Sequence, residues 1–284
     1  MKRVLGRFVL ILLFLVGLGI ALYPVISNQF NLYRASKLIS YYQKETGEIP
    51  AADYSDILEA CRAYNNKVGS AAVADAFSNE EGEASAEYMA LLNMDEQGMM
   101  GTIEIPRIGV KIPIYHTTKD EVLQNGAGHM EGSSLPVGGE DTHSVLAAHR
   151  GLPSAKLFSD LDQVEVGDFF YINVLNETLI YEVEEILVVE PQETGSLSIQ
   201  RGRDLVTLVT CTPYAINTHR LLVRGKRIFQ EEISRRTALL DDAVKLPQWK
   251  DLLLYAVPLF VLLYVIGRIA EWRRGARISK KLKN

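Results

Sequence analysis

Two stretches of the chain are predominantly apolar, and a long segment of mixed pattern lies between them. Phe8 to Ile26 (FVLILLFLVGLGIALYPVI) runs 19 residues without a charge, about 28 Å as a helix at ~1.5 Å per residue, which matches a hydrocarbon core. The second stretch is Leu252 to Ala270 (LLLYAVPLFVLLYVIGRIA). Pro258 is tolerable in a membrane helix, and Arg268 sits near enough to the end to reach the interface. Trp249 and Trp272 flank it like interfacial anchors. A cleaved signal peptide competes for the first stretch, with Gly19-x-Ala21 as a small-x-small site. The apolar run continues past that site, which favours an uncleaved anchor.

Between the two runs the period changes once. From Asn28 to about Asn66 apolar residues recur at helical spacing (Phe30, Tyr33, Leu38, Tyr41 and Tyr42, then Ile57, Leu58, Cys61 and Tyr64), with a turn at Gly47 to Ala52. This pattern predicts a helical hairpin. Gly69 to Glu87 is rich in Ala, Ser, Gly and acid and has little to bury, so a loop is expected there. From Thr102 onward short β-branched or aromatic runs predict strands at Thr102–Ile105, Ile112–Tyr115, Ser144–Ala148, Phe169–Leu175, Thr178–Val189, Asp204–Thr210 and Leu221–Phe229. Only Ser154 to Leu161 reads as a helical turn. Many close strands without alternating long helices favour a closed or nearly closed β-barrel over a βαβ sheet.

Charge settles the orientation of this arrangement. The chain has 284 residues, with 30 Lys and Arg against 35 Asp and Glu. Ten of the bases lie outside or at the ends of the two apolar runs: Lys2, Arg3, Arg7, Arg268, Arg273, Arg274, Arg277, Lys280, Lys281 and Lys283. Setting these and Glu271 aside leaves 20 basic against 34 acidic residues, so the middle carries about −14. The positive-inside rule then places both tails in the cytoplasm and the acidic middle outside. Such a surface argues against nucleic acid as a partner. Two cysteines, Cys61 and Cys211, are too few for a disulfide scaffold or a Cys-rich zinc site, and nothing calls for a cofactor or metal.

The chemistry-bearing residues cluster at expected strand ends. Cys211 closes the run Asp204 to Thr210 and precedes Thr212-Pro213, where proline ends the pairing. A rigid but open position of this kind suits a thiolate nucleophile, whereas a lone cysteine is otherwise a buried packing residue. His149 ends another apolar run, SVLAAHRG, and a histidine near the thiol can hold it as thiolate and later protonate a leaving amine. His143, six residues earlier, competes but precedes its strand. Arg220 opens the strand after the Cys211 turn and can return a cation to an oxyanion beside the thiol. Cys61 sits at an apolar helical position and reads as inert packing.

Together these segments resemble the sortase family. Thr207-Leu208-Val209-Thr210-Cys211 matches its Thr-Leu-x-Thr-Cys box, His149-Arg150-Gly151-Leu152-Pro153 its histidine stretch, and Arg220 its arginine after the cysteine; the likeness is strong over Met99 to Phe229. Thr212-Pro213-Tyr214 and the second apolar run make it similar to class C, the pilus-assembling branch of Gram-positive bacteria. The resemblance implies a sortase-type closed β-barrel with N-terminal helices, flanked by two transmembrane helices. It implies Cys211 as nucleophile, His149 as general acid/base and Arg220 as oxyanion stabiliser. The implied reaction cleaves a Leu-Pro-x-Thr-Gly-like sorting signal between Thr and Gly, forms a thioacyl intermediate and transfers it to a lysine amine of another pilin. The implied partners are therefore pilins and the membrane. Class C members often carry a lid with an Asp-Pro-aromatic motif; the matching stretch is Asp75-Ala76-Phe77, without the proline, with Asp75 facing Arg220 and Phe77 shielding Cys211. The implied organisation is a cytoplasmic tail (1–7), a span (8–26), a helical region with the lid (27–98), a catalytic barrel (99–230), a juxtamembrane segment (231–251), a second span (252–270) and a basic tail (271–284). A cell-wall-anchoring sortase, a tethered cysteine peptidase and a non-catalytic surface domain are the competing functions.

Overall fold

A computed structural model describes residues 2–68, 75–78, 83–93, 98–229 and 264–265. The second expected span, apart from Tyr264 and Val265, lies outside the described residues, as do the segment 231–251 and the tail 271–284. The first apolar run belongs to α1 (Lys2–Gly47), a single helix with Pro24 inside it. Its part from Gly6 is long and apolar enough to cross a membrane, with a mean hydropathy of 2.8 over 18 residues. The helix runs on through residue 27, where the expected span meets the expected helical region. Neither glycine nor proline interrupts the chain between Pro24 and Gly47, and the helix ends at Gly47, ahead of Pro50.

The chain divides into two compact units, Leu22–Ile233 and the remainder. Within the first, the last turns of α1 bury Ala35, Ile39, Tyr42 and Thr46 along one face. The Tyr42 hydroxyl donates to the Met100 carbonyl at 2.8 Å and accepts from the Leu175 N–H at 2.9 Å. In α2 (Ala51–Val68) the buried face is Leu58, Cys61, Tyr64 and Asn65, so Cys61 packs as expected. Asn65 exchanges two hydrogen bonds with the backbone of Leu135. Of the expected loop Gly69 to Glu87, residues 69–74 and 79–82 lie outside the described residues, and its last two residues begin a five-residue helix, α3 (Ala86–Ala90), capped by Ser85.

Eight strands close a barrel in the order β1-β2-β3-β4-β7-β8-β6-β5. They are β1 (Met99–Ile105), β2 (Val110–His116), β3 (Ala127–His129), β4 (Thr142–Ala147), β5 (Phe169–Val174), β6 (Glu177–Val189), β7 (Asp204–Thr212) and β8 (His219–Ile228). Two pairs are parallel, β2 with β3 and β4 with β7; the others are antiparallel. Alternation sorts the side chains into two groups. Ile103, Ile112, Ala127, Leu146, Ile172, Tyr181, Leu208 and Val223, one from every strand, share the inner core with α2. Val145, Ala147, Val209 and Leu222 point the other way and form a smaller cluster with Leu123, Leu197 and Ala76.

Two expectations need correction. The helical turn expected at Ser154 to Leu161 falls at the end of that stretch, as the 3-10 turn Leu161–Gln163, and the residues before it form irregular turns. Their donors are engaged elsewhere, the Lys156 N–H by Asn28 and the Phe158 N–H by the His149 carbonyl. The strand β3 and the one-turn helix α4 (Asp120–Leu123) were not expected, since three and four residues are too few to display a period.

Candidate active site

The β4–β7 ladder brings two distant segments to one level. Its register runs from Thr142 opposite Asp204 to Ala147 opposite Val209, and the Ala148 N–H donates to the Val209 carbonyl. His149 and Cys211 follow as the next pair on the outer side of the wall, the side of Ala147 and Val209. On the opposite flank Cys211 lies directly across from Arg220 of β8. The three residues singled out in the sequence therefore occupy one row across three strands. Cys211 is a residue short of the end of β7, and Arg220 is second in β8.

The segment 75–78 folds over this row as a tight turn, the Ser78 N–H and hydroxyl both donating to the Asp75 carbonyl. The Asp75 carboxylate receives a two-pronged bond from Arg220, Nε to Oδ1 at 2.8 Å and Nη2 to Oδ2 at 2.7 Å. Both side chains are mostly buried, at 15% and 11% exposure. Ala76 is buried in the outer cluster. The Phe77 ring sits 5.7 Å from the His149 ring and 5.1 Å beneath the Arg220 guanidinium, centre to centre. Cys211 is left 8% exposed. The structure is thus closed over the thiol, with no proline needed to hold the turn.

Burial pushes the Cys211 thiol up and Asp75 adds to that push, while Arg220 opposes it. Burial also lowers His149, against a weaker pull from Asp120, whose carboxylate lies 3.8 Å from Nε2. Both shifts favour the uncharged pair, thiol with neutral imidazole, in the closed form. Arg220 is held above its ordinary value, chiefly by its bonds to Asp75.

The other candidates are placed apart from this row. His143 is buried opposite Leu205, its Nδ1 donating to the Ser198 carbonyl and its Nε2 accepting from the Thr207 hydroxyl. Burial lowers it to about 4. Cys61 is fully buried in α2 and burial pushes its thiol up to about 12, so it is inert. Both cysteines are free. Among the described residues no group of three His, Cys, Asp or Glu side chains could hold a metal ion. Sequence reasoning missed Asp120, whose only signal is a helix start at Lys119-Asp120-Glu121. It also missed Arg150, which donates to Asp162 at 2.6 Å and to the Thr212 hydroxyl at 3.2 Å.

Comparison with known proteins gives a consistent result. Residues 103–228 match the family model described as the sortase domain. Sortase D of Bacillus subtilis is 28% identical over 131 residues, covering 45% of this chain and 63% of that protein. Sortase A of Staphylococcus aureus is 31% identical over 124 residues, 42% of this chain and 58% of that one. The chain thus matches less than two thirds of the length of these curated relatives. The solved structure of sortase C from Streptococcus pneumoniae superposes with a TM-score of 0.64 at 44% identity, covering 68% of this chain and 97% of that chain. A pilus-related sortase C of Group B Streptococcus gives 0.62 at 37%, covering 67% and 96%.

Proposed function

The chain belongs to the sortase family, whose members are cysteine transpeptidases, and from that premise we propose that it is a membrane-anchored, pilus-assembling transpeptidase with Cys211 as its nucleophile. The observation that supports this reading is the row formed by His149, just beyond β4, with Cys211 of β7 and Arg220 of β8, beneath the turn 75–78. The likeness to a sortase C associated with pilin substrates and to a pilus-related sortase C supports the pilin assignment.

In the proposed reaction the Cys211 thiolate attacks the Thr carbonyl of a Leu-Pro-x-Thr-Gly-like signal. Arg220 stabilises the resulting oxyanion, and His149 protonates the Gly amine as the C–N bond breaks. A lysine amine of the next pilin then attacks the thioester; His149 takes up its proton and the thiol is released. The product is a new amide, so water must be kept from the thioester.

The cover supplies the regulation. While Asp75 holds Arg220, the oxyanion site is occupied by a carboxylate and the thiol is raised by burial and by that same charge. Lifting the turn frees the cation and hydrates the thiol, and both changes favour thiolate. The proposed topology has both tails in the cytoplasm and the barrel outside: protease added to intact protoplasts should digest the region 102–229 and spare tags at both ends.

Mass spectrometry of the product from a sorting peptide and a pilin tests the assignment. An isopeptide-linked product supports it. Hydrolysed peptide alone, with an amine acceptor present, would instead mark a cysteine peptidase, and transfer only to a cell-wall amine an anchoring sortase.

A further inference from the structure

We propose that Arg150 is a positioning residue that fixes the spacing of His149 and Cys211, an inference that rests on the transpeptidase reading above. The two reacting residues lie 62 positions apart on parallel strands, and parallel neighbours have no hairpin to hold their ends together. The last ties before the row are the Ala148 N–H to the Val209 carbonyl at 3.1 Å and the Thr210 hydroxyl to the Ala148 carbonyl at 2.8 Å. Beyond them the chain leaving β4 turns away at Gly151 and the chain leaving β7 at Pro213. Proton transfer between thiol and imidazole needs a reach of about 2.6–3.2 Å, so splaying of the two ends would uncouple the pair.

Arg150 closes that gap from behind. It follows His149 in the chain, and its Nη1 donates to the hydroxyl of Thr212, which follows Cys211. By alternation both fall on the side of the wall opposite the reacting pair. The second arm of the fork, Nη2, is fixed by Asp162 in the 3-10 turn. The guanidinium face lies 5.9 Å from the Tyr214 ring. Tyr214 in turn packs on Gly151, where φ is +78° and any Cβ would come within 2.9 Å of that ring. The His149 turn and the Cys211 turn are thereby locked to each other on one planar cation.

The side chain is only 9% exposed, and its Nε is buried without a hydrogen-bond partner among the described residues. A solvated arginine would keep that donor in water; here it is surrendered to a geometry that spans two turns. Lysine carries the charge but not the fork, and cannot tie Asp162 and Thr212 together.

The test compares Arg150→Met, Arg150→Lys, Thr212→Val and the Arg150→Met/Thr212→Val double variant in transfer of a sorting peptide to an amine. Each single removal should lower kcat at least about tenfold, toward the ~10²-fold that a misplacement of about 1 Å costs, with KM for the peptide unchanged. The double variant should be no slower than Arg150→Met, and Arg150→Lys should stay impaired. Unchanged kcat, a loss confined to KM, or losses that multiply in the double variant would overturn the proposal. A second readout needs no substrate: the pH profile of Cys211 alkylation by iodoacetamide. Arg150→Met should depart from the wild-type profile in the way that His149→Ala does, and a wild-type profile in a folded Arg150→Met counts against the proposal. If the wild-type protein transfers nothing while this profile shifts, the transpeptidase reading fails and the positioning role stands.

Discussion

The strands β4, β7 and β8 present two faces that both bury apolar side chains and are differently closed. Inward, Leu146, Leu208 and Val223 meet residues from all the other strands and from α2. Outward, Val145, Ala147, Val209 and Leu222 meet a turn, α4 and a few side chains of the wall. The first closure is made by the whole fold and cannot be undone without unfolding it. The second includes the short segment 75–78, held among the described residues by the buried Asp75–Arg220 pair, the Phe77 ring and Ala76. Burial alone therefore does not distinguish core from site; what distinguishes them is how many elements must move to reverse it.

The two free cysteines give the largest contrast, one on each side. Cys211→Ala should abolish polymer formation and Cys61→Ala should leave it largely intact, as read by pilin laddering on a gel. Equal losses in two folded variants would erase the distinction. Next in size is a matched pair of truncations. Leu208→Ala, on the inner side, should cost about 2–5 kcal/mol in denaturant unfolding, and Leu222→Ala, on the outer side, clearly less, because its surroundings can collapse or hydrate. Reversal of that order would mean that the outer cluster is as integral to the barrel as the inner one.

Acid should attack both faces. His129, whose strand position pairs it with inward Leu146, and His143 on the outer side are each lowered to about 4 by burial. The unfolded chain takes up these protons first, at about 6.5, so the stability is complete above that pH and is lost as pH falls toward 4. Each histidine accounts for about 3 kcal/mol on this reckoning. Melting temperature against pH should fall over that window, and His143→Gln should remove about half of the slope; an unaltered slope would place the acid sensitivity elsewhere.

The smallest expected effect concerns the turn itself. Burying Phe77 is worth about 1.5–3 kcal/mol if complete, and an exposed ion pair ~0–1 kcal/mol. The Asp75–Arg220 pair is better buried than that, yet its gain is offset by desolvation. Phe77→Ala should therefore speed alkylation of Cys211 by a bulky reagent more than Asp75→Ala does. An unchanged rate in Phe77→Ala would mean that another element covers the thiol.

Much of this was legible in advance, for identifiable reasons. Seven of the eight strands announced themselves because each carries enough β-branched or aromatic residues to show its pattern, and the exception, Ala127-Gly128-His129, is three residues long. Cys211, His149 and Arg220 stood out because each lies at the edge of a strand, beside a proline, a glycine or a turn. Asp75 and Phe77 were found through resemblance to a motif, since composition alone made that stretch a loop. Asp120 and Arg150 were missed because their neighbours come from elsewhere in the chain: no local pattern sets Arg150 beside Thr212 or Asp120 beside His149.

The parallel pairing of β4 with β7 also has a consequence for the order of events during folding. The β5–β6 hairpin lies between them in the chain and forms from local contacts, whereas β4 and β7 meet only after the intervening loop of about sixty residues has closed. Until then the Cys211 sulfur stands without the neighbouring imidazole. In the proposed reaction, the pairing of thiol and imidazole therefore arrives with the long-range contacts rather than with translation of the residue, and an incompletely folded chain carries an ordinary thiol without its base.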